Sequence, residues 1–142
     1  MAGTLLQNGQ EWVLARMLEY INTSGLYIGL MEEQTPIAET AQIGAGITEI
    51  DPSGDVTGSG YSRVLISGWT QTNGVDPYIT GPAVTFNVSG TWSAVNGYFV
   101  ATTSGSASAL WAEPFPSGNF GDKTDGDRII ITPKYEQQDY AE

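Results

Sequence analysis

Only one stretch of the chain places its apolar residues at helical spacing. Leu6, Val13, Leu14, Met17, Leu18 and Ile21 fall on one face of an α-helix. Thr4-Leu5-Leu6-Gln7 and Asn8-Gly9-Gln10-Glu11 both fit a capping box, and the start near Thr4 is preferred although Gly9 then lies in the first turns. Ser24-Gly25 supplies the stop, because Gly accepts the left-handed conformation that ends a helix. The pattern predicts a helix over about 4–23 whose stripe packs on a sheet, docking on a partner chain being the alternative.

Everything after this helix reads as strands and turns. Leu26-Tyr27-Ile28-Gly29-Leu30-Met31 is short and apolar, as in a buried strand. Residues 32–57 are irregular and longer than an ordinary connection, so they are expected to be functional or to be ordered by a neighbour. Alternation returns at Tyr61–Ile66, closed by Gly68-Trp69, and then at Val84–Val88. Trp92–Val100 follows, with Gly97 marking a bulge or a close approach. Ala107–Phe115 and Arg128–Thr132 complete the series, separated by the polar 118–126 turn region. This order predicts a mainly β fold: an antiparallel β-sandwich with one N-terminal α-helix. It is expected as a single domain over 1–133, followed by an acidic tail over 134–142.

Charge and composition narrow the function classes. The 142 residues include 16 Asp and Glu against 5 Lys and Arg, a formal charge of −11. A protein that binds by neutralising phosphates is disfavoured, as is one that docks on an anionic membrane, so neither nucleic acid nor membrane is expected as a partner. There is no His and no Cys, which removes His bases, Ser–His and Cys–His nucleophiles, zinc sites with N or S ligands, and disulfides. No apolar run approaches the length of a membrane-spanning helix, and residues 1–30 lack the pattern of a signal peptide.

Few residue constellations carry chemistry. Asp122, Asp125 and Asp127 crowd a Gly turn and could bind calcium, but the spacing is not that of an EF-hand loop, and a hairpin turn with Asp side chains bonding local backbone explains them equally. Asp51-Pro52-Ser53-Gly54-Asp55 has the same two readings. Paired carboxylates could serve a glycosidase, but no accompanying motif is present. Asn22-Thr23-Ser24 and Asn87-Val88-Ser89 match the glycosylation sequon, a frequent chance pattern. The aromatics could form a sugar platform or fill the core. The expectation is a non-enzymatic protein without cofactor or metal.

Several short words, in order, resemble a family of small virion proteins of tailed bacteriophages, whose members are labelled tail fibre proteins or sit on capsids as decoration or cement subunits. They are Leu14–Leu18, Leu26-Tyr27-Ile28-Gly29-Leu30, Thr48-Glu49-Ile50, Gly60-Tyr61-Ser62-Arg63-Val64, Val84-Thr85-Phe86, Gly90-Thr91-Trp92, Gly97-Tyr98-Phe99-Val100, Leu110-Trp111-Ala112 and Gly126-Asp127. The match spans most of 10–132. It departs at Gln34–Gly46, at the Glu113–Pro116 corner and after Pro133. The resemblance implies a structural role in the virion, assembled in the bacterial cytoplasm. A capsid cement or decoration subunit is favoured, with 32–57 and the chain ends reaching the shell. The alternative is a tail fibre or tail-tip protein that recognises host glycans. The implied partners are the major capsid protein or tail proteins, and copies of the chain itself, with a trimer as the leading symmetry. Tyr61, Arg63, Trp69, Trp92 and Trp111 are the interface candidates, and no catalytic residue is carried over. Arg63, one of the few cations, is expected either to pair with a carboxylate or to point to water.

Overall fold

The computed structural model describes residues 3–50, 60–105, 107–116 and 122–136. As expected, the chain is mainly β, with antiparallel sheets and, among the described residues, a single helix at the N-terminal end. It folds into two compact units: Met1–Gly25, Ile66–Ala83 and Thr132–Glu142 form the first, and Leu26–Leu65 with Val84–Ile131 the second.

In the first unit the helix α1 (Gln7–Ser24) packs on a three-stranded antiparallel sheet. The sheet contains β5 (Thr70–Thr72), β6 (Tyr78–Thr80) and β11 (Lys134–Glu136), with β6 in the centre. Leu14 and Ile21 of α1 are buried, as are Trp69 and Ile79. The helix starts later than the Thr4 box predicts. Leu6 is its extended N-cap and makes no side-chain capping bond. The first helical bond runs from Gln10 N–H to Leu6 C=O at 2.9 Å, and Gln10 Nε2 donates to Leu5 C=O at 2.9 Å, tying the preceding residue to the first turn. Leu6 is therefore exposed and outside the buried stripe. The stop is as read: Gly25 has φ 73° and donates to Ile21 C=O. Asn22 of the first sequon clamps the far side of the unit. Its Oδ1 accepts from Gly68 and Trp69 N–H, at 3.1 and 2.8 Å, and its Nδ2 donates to Trp69 C=O at 3.0 Å. The tail expected from 134 onward is corrected here, because Lys134–Glu136 pairs with β6 and Tyr135 lies opposite Ile79. Pro133 does not stop the sheet; its C=O accepts from Gly81 N–H at 3.0 Å.

The second unit is built on a four-stranded sheet in the order β4-β1-β8-β9. Its strands are β1 (Leu26–Met31), β4 (Val64–Ile66), β8 (Gly97–Ala101) and β9 (Ala109–Pro114). Gly29 lies opposite Phe99, and the Phe99 ring occupies the space where a Cβ at 29 would stand. Gly97 is a close approach: a Cβ there would meet Glu113 O at 2.7 Å and Met31 Cε at 2.5 Å. The bulge lies further on, between Val100 and Ala101. An antiparallel ribbon joins β7 (Val84–Asn87) to β10 (Arg128–Ile131), with Phe86 opposite Ile129 and Ile130 turned outward.

The described part of the 32–57 segment is ordered by its own sheet. It contains a tight turn in which β2 (Gln42–Ile43) and β3 (Gly46–Ile47) lie side by side. Ile47 joins Met31, Phe99 and Ala101 in one buried cluster, with Ile37, Ala41 and Ile43 packed against it. The segment then returns along β1: Glu32 N–H donates to Thr48 C=O at 2.9 Å and Ile50 N–H to Leu30 C=O at 3.1 Å. Residues 32–50 are thus a cover over one sheet face, not an arm held out for a neighbour; residues 51–59, including the Asp51–Asp55 motif, lie outside the described residues.

Candidate functional site

The polar centre of the second unit is a hydrogen-bonded triad of Glu49, Tyr61 and Arg63. Glu49 closes the 32–50 cover, and the other two stand just before β4. The guanidinium binds the carboxylate through two bonds, Nε to Oε1 at 2.9 Å and Nη2 to Oε2 at 2.8 Å, while Nη1 donates to Thr103 C=O at 3.0 Å. The Arg63 side chain is 5% exposed and that of Glu49 23%, so the cation is buried while the carboxylate keeps partial access to water, and the cation lies 5.0 Å from the centre of the Phe99 ring. Tyr61 donates its hydroxyl to Glu49 Oε1 at 2.8 Å and accepts from Leu30 N–H at 3.0 Å. The Tyr61 ring stacks on Phe86 and meets Trp92 edge-on, at centroid distances of 6.2 and 5.6 Å.

Burial pushes the Tyr61 phenol well above its ordinary range, and the negative charge of Glu49 adds to the shift; the bond from Leu30 N–H and the charge of Arg63 act the other way. Hydrogen bonding to Glu49 raises Arg63, against the cost of desolvating it. The triad is therefore a neutral phenol and a cation held on one carboxylate. Both Glu49 oxygens are engaged, which suits a fastener between cover and sheet rather than a proton-transfer centre.

This places the sequence-derived candidates. Tyr61 and Arg63 come together, and the carboxylate predicted as one option for Arg63 is Glu49. Trp69 and Trp92 are each 2% exposed and belong to the interiors of the first and second units, respectively. As interface candidates, Trp69 and Trp92 are corrected because large aromatics at positions facing a core contribute more by leaving water, and Arg63 because its guanidinium is engaged by Glu49 and Thr103. Trp111 is half-buried and lines a cleft beside β9. Exposed aromatics lie elsewhere, at Trp12 and Tyr20 on the outer face of α1, with Arg16 5.7 Å from the centre of the Trp12 ring. The i, i+4, i+8 spacing of those three residues was the signal for that face.

The acidic turn bonds to backbone. Asp122 Oδ1 accepts from Ala94 N–H at 3.0 Å, Asp125 Oδ1 from Gly90 N–H at 3.2 Å and Asp127 Oδ2 from Thr124 N–H at 2.8 Å. Trp92 and Lys123 exchange two further backbone bonds, of 2.8 and 2.7 Å. Each carboxylate faces a different amide, and among the described residues no three acidic groups converge on one point. No family model, curated protein or solved structure matches the chain.

Proposed function

We propose that the chain is a non-enzymatic structural protein of a tailed-phage virion, acting as a capsid cement or decoration subunit through protein–protein contacts. One observation carries the reading. The sequence words behind the phage resemblance supply the parts of a single fastener: Glu49, the Tyr61 and Arg63 pair, Phe86, Trp92, Phe99 and the Leu30 amide. Words that specify a scaffold, and not a reactive cleft, are what a structural family would share. The charge of −11 keeps free copies apart, so docking draws on apolar or specifically paired contacts. Exposed Trp12, Tyr20, Leu110 and Ile130 offer such contacts.

The test is copy number. Mass-spectrometric quantification in purified particles is expected to give the protein in equimolar ratio to the shell subunit. A handful of copies per particle assigns it instead to a tail fibre or tail tip, and absence from the particle refutes both positions. Sedimentation of the isolated protein tests the homo-oligomer, for which a trimer is the proposed state.

A further inference from the structure

We propose that the cleft beside β9 receives an extended segment of a different protein, anchored by one Lys or Arg side chain. The inference goes beyond the virion reading and holds wherever the chain works. β9 ends its sheet, with β8 on one side only. Phe115 N–H donates to Asn96 C=O at 2.8 Å, and antiparallel pairs alternate, so Glu113 and Trp111 bond toward β8 while Ala112 turns its N–H and C=O outward. That outward main chain borders a cleft of about 210 Å³ whose lining includes Ile37, Ala38, Glu39, Leu110, Trp111 and Ala112.

The size and walls define the occupant. Small-molecule sites usually enclose roughly 300–1,000 Å³, so this cleft suits a single side chain. Glu39 is the one charged residue of the lining; the other side chains are aliphatic or aromatic, and main-chain groups together with Glu39 make most of the exposed wall polar. An alkyl stem with a cationic tip matches both, and the overall charge of −11 attracts it. The Ala112 N–H and C=O then pair with the main chain on either side of the anchor, the combination by which sheet edges recognise peptides. A second copy fits poorly. Each copy carries a charge of −11, so two copies repel at this edge while a cationic segment is attracted.

The probe is the peptide acetyl-Thr-Val-Arg-Val-Thr-amide, titrated into the isotopically labelled full chain by NMR. Saturable shifts confined to 37–41 and 109–112 are expected, with slower exchange of the Ala112 amide. Glu39→Lys and Ala38→Trp change exposed positions, so the fold is retained; each is expected to weaken binding by about tenfold or more, as is replacing the probe's Arg by Glu. Unchanged spectra at millimolar probe, shifts elsewhere, or undiminished affinity in Glu39→Lys overturns the proposal. A doubled solution mass with the Ala112 amide already protected also overturns it, by showing a second copy in place.

Discussion

Exchanging Glu49 for Gln removes the charge from the fastener while keeping its shape. Arg63 then remains 5% exposed beside an amide, and part of the Gln head presents donors to its donors. Breaking a buried pair by neutralising one partner costs about 3–5 kcal/mol. Glu49 is itself 23% exposed, so water reaches the site and the lower end, about 3 kcal/mol, is expected. For a chain of this size that lowers the midpoint of thermal unfolding by roughly 10 °C. Urea unfolding at neutral pH measures the loss. Arg63→Met and the double variant complete a cycle, in which the double loss should fall short of the summed single losses by about 2 kcal/mol. A local readout accompanies the global one: the Leu30 amide, which donates to Tyr61, should lose exchange protection in Glu49→Gln. A loss below about 1 kcal/mol, the range of exposed pairs, or strictly additive single losses, would refute the reading of a buried fastener.

Alkali should destabilise the protein through Tyr61: its folded phenol titrates above the ordinary 10.0, so above that pH the unfolded state loses a proton that the folded state keeps, and stability falls as pH rises. In Tyr61→Phe this component of the alkaline slope should vanish in pH-dependent urea titrations, while neutral-pH stability falls by about 1–2 kcal/mol because Leu30 N–H and Glu49 each lose a partner. Gly29→Ala should cost about 1–3 kcal/mol, since its Cβ meets the Phe99 ring, and Phe99→Leu in the same chain should recover part of that loss in thermal melts. Ala94 has φ 54°, a conformation that disfavours a Cβ, so Ala94→Gly should raise stability by about 0.5–1 kcal/mol, provided the Asp122 bond to its N–H persists.

Much of the fold is written locally. The helical spacing of 6–21, the alternation of 84–88 and the short apolar runs of 26–31 and 128–132 locate α1, β7, β1 and β10, because local spacing and apolar content bias the backbone before any long-range contact forms. The Gly25 stop and the acidic turn at 122–127 are likewise short-range chemistry, settled by backbone conformation and nearby amides. The capping-box pattern places the helix start at Thr4, but the helix begins at Gln7 after an extended Leu6 with no side-chain cap, because residue types alone do not settle where the backbone turns helical. Pairing across distance was not legible. Arg63 announced a need for a carboxylate, but 16 acidic residues were available, and only the fold of residues 32–50 along β1 brings Glu49 to it. The same packing turned an expected arm into a cover and Trp69 and Trp92 into core. Sequence spacing dictates which face a side chain takes; which surface that face meets depends on long-range contacts formed only when the strands assemble.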